Sequence, residues 1–172
     1  MTERIVLVGF MGCGKTTVGR ELAALMGWAF VDLDAEVEAR AGRSVTAIFD
    51  EDGEDAFRVL ERAAAVEAMR RERVVIAAGG GAFAEPATRA VLEAGATTVW
   101  LQCALPALLA RIPEDGSRPL GRNRATIGAL LSQREAVYRL AALTVDTTDG
   151  APGDAARAIA RAIGRGEARS SE

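Results

Sequence analysis

The sequence predicts a three-layer α/β domain built on a five-stranded parallel sheet. Two observations carry this. Short apolar runs rich in β-branched residues recur along the chain, and longer stretches with helical spacing separate them. That alternation is the signature of βαβ units. The runs are also nearly continuous in apolar residues, as in strands covered on both sheet faces.

The five runs are Ile5–Val8, Ala29–Leu33, Arg73–Ala77, Thr97–Gln102 and Leu143–Thr147. Val74-Val75-Ile76 and Thr97-Thr98-Val99 are β-branched, which favours strands over buried helix segments. Between the runs, Val18, Leu22 and Leu25 fall at helical spacing. So do Phe57, Leu60, Ala64 and Ala68, and again Ile127, Leu130, Leu131 and Val137. No internal repeat and no linker rich in Pro, Gly or Ser interrupts the pattern. Two stretches depart from it. "PEDGSRPLGRNR", Pro113–Arg124, has neither periodicity and is long for a plain connection, so a functional loop or lid is expected there. The polar tail Gly164–Glu172 reads as frayed, at least from about 166 to 172.

A length of 172 residues fits one domain with a sizeable core. The 49% hydrophobic and 26% charged fractions are those of a soluble globular protein. A net charge of −3 leaves no basic footprint for nucleic acid. Two cysteines and no histidine build neither a disulfide framework nor a Cys/His metal site. No apolar stretch approaches the ~18 residues of a membrane span. The first residues lack a charged region followed by a long apolar one. A reduced, cytoplasmic setting and a monomer are the expectations.

"GFMGCGKTT", Gly9 to Thr17, follows the first apolar run directly. Of the 21 basic residues only Lys15 is a lysine; the other 20 are arginines. Gly9-x4-Gly14-Lys15-Thr16 is the full phosphate-binding loop (P-loop) pattern, in its required strand–loop–helix context. Gly9, Gly12 and Gly14 permit backbone angles and close approach that a side chain would block. Backbone N–H groups can then wrap phosphates at the positive end of the following helix. Lys15 offers a compact, mobile charge that a planar guanidinium would not replace. Thr16 offers a hydroxyl to Mg²⁺. The competing reading, a Gly-rich turn with a solvated lysine, leaves the placement of a lone lysine unexplained. Cys13, at a predicted helix N-terminus, is a candidate for a lowered pKa and oxidation.

Asp32 and Asp34 lie at the carboxyl end of the second run, where open α/β sheets form their ligand crevice. They could hold Mg²⁺ through water and orient a hydroxyl. Alternatively, Asp34 simply caps the next helix. Gly79, Gly80 and Gly81 follow the third run and imply close backbone approach, to a ligand or within a tight turn. Residue type does not rank the arginines: Arg157, Arg161 and Arg165 read as a solvated helix face, and Arg58 and Arg134 stay unranked. Arg118, in the irregular loop, is placed to close over phosphates as an arginine finger does.

The order GFMGCGKTT, VDLD, GRSVTAIFDEDGEDAFRVLE, AAGGGAF, SRPL and SQREAVYR resembles the shikimate kinase family over about residues 4–163. The P-loop is shared by many families; Gly42–Glu61, the triple glycine and Arg-Pro-Leu are more specific. The resemblance implies a P-loop NTPase fold of the nucleoside-monophosphate-kinase type, forming one kinase domain over 1–172. Its substrate-binding segment would be about 33–61 and its lid about 112–124. It implies transfer of a phosphoryl group from ATP to the shikimate 3-hydroxyl, in aromatic amino acid biosynthesis, with Mg²⁺ as cofactor.

Residue roles follow from the same resemblance. Gly12, Cys13, Gly14, Lys15, Thr16 and Thr17 would cradle the ATP phosphates. Thr16, with Asp32 through water, would hold Mg²⁺. Asp34 would bind ring hydroxyls and help take the proton from the attacking one. Arg58 and Arg134 would clamp the shikimate carboxylate, a pairing that suits the guanidinium fork. Gly79, Gly80 and Gly81 would lie against the ring, and Glu54 and Glu61 would support Arg58. Arg118 would reach ATP from the lid, and Arg111 and Pro152 would sandwich adenine. Arg122 and Arg124 receive no role. Gluconate kinases and nucleoside-monophosphate kinases share the loop and architecture, and a nucleotide-binding regulatory domain would share the loop; the Gly42–Glu61 stretch and the triple glycine oppose the first two, and intact Asp32, Asp34 and Arg118 oppose the third.

Overall fold

Ile5, Val6, Leu7 and Val8 are fully buried in the central strand, β1 (Arg4–Val8). The computed structural model describes residues 3–112 and 124–169. The other strands are β2 (Ala29–Asp32), β3 (Val74–Ala77), β4 (Thr97–Gln102) and β5 (Leu143–Asp146). They form one five-stranded sheet in the order β2-β3-β1-β4-β5. All neighbours pair in parallel, with Ile5 opposite both Val75 and Thr97. Strand β3 and, after Arg4, strand β1 are buried throughout, as expected of strands covered on both faces. The edge strands β2 and β5 are partly exposed, so the continuous-apolar reading holds for the sheet's centre and not for its rims.

The helices are α1 (Lys15–Met26), α2 (Leu33–Ala41), α3 (Val45–Asp52), α4 (Glu54–Ala68), α5 (Pro86–Glu93), α6 (Leu105–Arg111), α7 (Arg124–Tyr138) and α8 (Pro152–Arg169). Helix α1 packs on α8, and α4 packs on α5. The crossover from β1 to β2 runs one way along the sheet and that from β3 to β4 runs the other. Right-handed crossovers in opposite directions put their helices on opposite faces, which completes the three layers. Residues 33–61 form α2, α3 and the first half of α4, and both α2 and α3 pack against α4.

Several expectations are corrected. The second strand ends at Asp32, and Leu33 already belongs to α2. Asp32 rather than Asp34 is the N-cap: its Oδ1 accepts the backbone N–H groups of Asp34 and Ala35. Strand β3 begins at Val74 and β5 stops at Asp146, each one residue shorter than the apolar run. Leu25 is 55% exposed instead of lining the core. The buried face of α1 is Val18, Gly19, Leu22 and Ala23, because Gly19 lets Phe30 pack directly on the helix. Helix α8 is described to Arg169, and the last three residues of the tail lie outside the described residues. The segment read as a lid lies outside the described residues except for Ile112 and the start of α7.

Because all strands are parallel, their carboxyl ends share one edge of the sheet. The loop 9–14 leaves β1, Asp32 ends β2, the glycines follow β3, Cys103 follows β4, and Thr147 follows β5. That edge is where an open α/β sheet receives ligands.

Candidate active site

Gly14 has φ of 99° and turns the chain into α1 with no side-chain cap on its first N–H groups. Those donors face the concave side of the loop, a ready anion site. At Gly9 the demand is packing: a methyl there would stand 2.8 Å from both Cys13 Sγ and the Leu101 carbonyl oxygen. Lys15 Nζ donates to the carbonyls of Gly9 (2.8 Å) and Phe10 (2.9 Å), which holds the ammonium across the loop. Cys13 is 1% exposed, with its sulfur inside the loop wall. The expected reactivity toward oxidants is therefore opposed by burial, which keeps a thiol inert.

Thr16 Oγ1 donates to Asp32 Oδ2 at 2.9 Å. Capping spends the other oxygen of Asp32 and makes its carboxylate rigid. These two side chains, with Gly12, Gly14, Lys15, Thr17, Asp34 and Gly79–Gly80, line a cavity of about 290 Å³. A hydroxyl and a fixed carboxylate in contact, beside a phosphate cradle, are hard oxygen ligands of the kind Mg²⁺ takes.

On the far side of Asp34 the cavity opens into a second one of about 380 Å³. Asp34, Arg58, Glu61, Gly79–Gly81 and Arg134 supply its polar wall; Met11, Phe49 and Phe57 supply its apolar wall. Each glycine gives way to a charge. A methyl at Gly79 would stand 2.7 Å from Glu61 Oε2 and 2.9 Å from Asp34 Oδ1. At Gly80 it would meet Arg134 Nη1 at 3.4 Å, and at Gly81 it would collide with the Arg58 guanidinium. The close approach implied by three glycines is thus, within the protein itself, an approach of four charged side chains.

Arg58 Nη1 donates to Glu61 Oε1 at 2.7 Å, and Nη2 donates to Glu54 Oε1 at 3.1 Å. Glu61 is 1% exposed. Burial pushes its carboxyl pKa up; the Arg58 guanidinium opposes this and the Asp34 carboxylate adds to it. Burial works against the charged Arg58 as well, but Glu61 and Glu54 hold its pKa above the ordinary value. Arg134 is also buried, over the Phe10 ring at 5.8 Å. Among the described residues, the buried side-chain atoms without a hydrogen-bond partner are Glu61 Oε2 and Arg134 Nη1. Such atoms are costly, and both sit in the wall of this cavity.

A third cavity, of about 400 Å³, lies between the P-loop, the loop after β5 and the start of α8. Arg111, Pro152, Cys13, Gly14 and Thr17 line it. Arg111 Nη2 donates to the carbonyls of Thr147 (2.9 Å) and Thr148 (3.0 Å), and Nη1 contacts Cys103 Sγ at 3.4 Å. Thr147 Oγ1 in turn donates to the Cys13 carbonyl at 2.7 Å. Sequence reasoning missed Thr147, which simply ends an apolar run, and Tyr138, which reads as one more core residue on α7. It also gave no place to Phe49. The structure brings together Lys15, Thr16 and Asp32, then Asp34, Arg58, Arg134 and the glycines, and separately Arg111 and Pro152. Arg118 and Arg122 lie outside the described residues, and Arg124 is placed only as the first residue of α7.

Comparison with known proteins agrees with this geometry. A family model described as shikimate kinase matches residues 11–164. A shikimate kinase of Thermobifida fusca is 47% identical over 161 residues, covering 92% of this chain and 93% of its own. The structure of shikimate kinase from Acinetobacter baumannii in complex with shikimate superposes with a TM-score of 0.91 at 37% identity, over 95% of this chain and 93% of that one. A gluconokinase of Sinorhizobium meliloti superposes with a TM-score of 0.65 at 19% identity, over 99% of this chain and 98% of its own, a likeness of fold alone. Three adjoining cavities, a lysine-bearing loop and relatives matched along nearly their whole length lead to one assignment: the chain belongs to the shikimate kinase family.

Proposed function

We propose that this chain transfers the γ-phosphoryl group of ATP to the 3-hydroxyl of shikimate, yielding ADP and 3-phosphoshikimate. The observation that carries the proposal is the position of Asp34. It lines both the phosphate cavity and the cavity holding Arg58 and Arg134. A hydroxyl bound between them meets a carboxylate on one side and a phosphate on the other.

Arg134, with a buried nitrogen free to donate, and Arg58, held by two glutamates, bind the acceptor's carboxylate. That anchor sets the ring so that one hydroxyl faces Asp34. Asp34 accepts the hydroxyl proton as the new O–P bond forms and the bond to ADP breaks. Lys15 neutralises charge on the transferring group, and the first N–H groups of α1 hold the phosphates. Arg111 and Pro152 hold adenine in the third cavity, and Arg118 closes over the phosphates. Thr16, with Asp32 through water, would hold Mg²⁺, which would offset phosphate charge. Because phosphoryl transfer needs little covalent help from protein, positioning and electrostatics supply the rate. The enzyme acts as a cytoplasmic monomer in aromatic amino acid biosynthesis. Among the described residues no helix is long and apolar enough to cross a membrane.

The test is ADP release from Mg·ATP with shikimate, gluconate or AMP in parallel. Turnover with shikimate alone is expected. Turnover with another acceptor and none with shikimate would overturn the roles of Asp34, Arg58 and Arg134 together.

A further inference from the structure

Tyr138 is the sole tyrosine of the chain. It is fully buried at the end of α7, its ring 6.0 Å from that of Trp100. Its hydroxyl donates to the Gly80 carbonyl at 2.5 Å, across 58 residues of sequence. Tyr138 stands four residues after Arg134, so both side chains leave α7 on one face. They reach the same glycine: Arg134 Nη1 would meet a methyl at Gly80 at 3.4 Å. One helix face thus presents a guanidinium to the acceptor cavity and a phenol to the backbone that forms the cavity's floor.

We propose that Tyr138 is a positioning residue for the acceptor: its hydrogen bond to Gly80 sets the gap between Arg134 and the Gly79–Gly81 turn. This rests on the acceptor-site reading above. The Gly80 carbonyl points toward α7, and in a trans peptide the Gly81 N–H points away from it. Fixing one carbonyl therefore fixes the plane of the 80–81 peptide. Gly81 is also the residue against which Arg58 lies, so the same bond sets the floor under both arginines. Backbone N–H groups of Ala82, Ala84 and Glu85 hold the carbonyls of Gly79 and Gly81, and the phenol holds the Gly80 carbonyl between them. Burial pushes the phenol pKa up, with Arg134 opposing, so the group remains an O–H donor. Without the hydroxyl, the Gly80 carbonyl loses its partner and the 80–81 peptide can tilt against Arg134.

The experiment is Tyr138→Phe with steady-state kinetics in both substrates, beside Arg134→Ala. Tyr138→Phe is expected to raise the shikimate KM about tenfold, the scale of one buried hydrogen bond. The ATP KM and kcat should stay within about twofold. A purely structural role would lower the melting temperature and the active fraction without separating the two KM values. An unchanged shikimate KM, or an equal rise in both, overturns the proposal. If Arg134→Ala raises the shikimate KM and Tyr138→Phe does not, this inference alone fails. If Arg134→Ala is also neutral, the acceptor-site reading fails first. A second measurement keeps the hydroxyl and so does not depend on the variant folding. Uniform 3-fluorotyrosine labels only position 138, and its ¹⁹F resonance should move with shikimate and not with Mg·ADP. A resonance that ignores shikimate overturns the proposal.

Discussion

Gly81 and Arg58 share a space that admits no β-carbon: a methyl at position 81 would stand 2.8 Å from Arg58 Cζ. Arg58 cannot retreat, because Glu61 and Glu54 hold both its terminal nitrogens. Gly81→Ala should therefore displace the guanidinium. The shikimate KM is expected to rise by roughly 10- to 100-fold, the cost of a misplaced anchor. The ATP KM should be unchanged. Equal changes in both would mean that Arg58 does not serve the acceptor.

Arg58→Ala leaves Glu61 as a buried carboxylate without its cation. Breaking a buried pair from one side costs about 3–5 kcal/mol. Thermal unfolding should show a melting temperature lower by roughly 6–20 °C at this chain length. Arg58→Met combined with Glu61→Leu should recover most of that loss while remaining unable to bind shikimate. A double variant no more stable than Arg58→Ala would show that the pair is not what stabilises α4 here.

Asp32 serves the helix with one oxygen and Thr16 with the other. Asp32→Ala should cost about 1 kcal/mol through the lost cap. Asp32→Ser keeps a capping oxygen but not the carboxylate, so it should retain stability and still need more Mg²⁺ for half-maximal turnover. Equal Mg²⁺ requirements in wild type and Asp32→Ser would remove Asp32 from the metal site.

Glu61 has a folded-state pKa above its ordinary value of 4.5. The folded protein therefore holds this proton more tightly than the unfolded chain. The resulting stabilisation is complete below the unfolded value and is lost as pH rises through the folded one. Glu61→Gln lacks this titration. Its melting temperature relative to wild type should thus climb as pH is raised from about 4.5. A falling difference would mean that Arg58 outweighs burial and that the shift has the opposite sign.

Lys15→Met should lower kcat by about 10²–10³-fold or more, as for loss of a group aimed at transition-state charge. Its far-UV circular dichroism and melting temperature should stay close to wild type, because among the described residues the ammonium bonds to carbonyls of its own loop and to the Cys13 sulfur. Near-normal turnover would exclude Lys15 from the reaction.

Much of the phosphate side was legible because it is local. Gly9 to Thr17 is contiguous, and glycine dihedrals, a helix start and one lysine need no distant partner to be recognised. On the acceptor side Asp34 and the triple glycine stood out at strand ends, but Arg58 and Arg134 were legible only through the resemblance. Nothing in residue type separates Arg58 and Arg134 from the other arginines until Glu61, Gly80 and Gly81 stand beside them. Asp32 and Asp34 show the same limit at short range. Both were visible at a strand end, but which one caps the helix depended on where β2 stops. Leu25 failed for a packing reason, since Gly19 rotates the buried face of α1 toward Phe30.

By itself, then, the sequence determined the alternation of strands and helices and the identity of the phosphate loop, because periodicity and backbone conformation act over a few residues. Tertiary structure alone decided the strand order, the burial of Glu61, the anchoring of Arg111 by Thr147 and Thr148, and the reach of Tyr138 to Gly80. Those relationships join segments tens of residues apart. They exist because parallel pairing gathers the carboxyl ends of all five strands on one edge, where side chains of different elements share a single low-dielectric space.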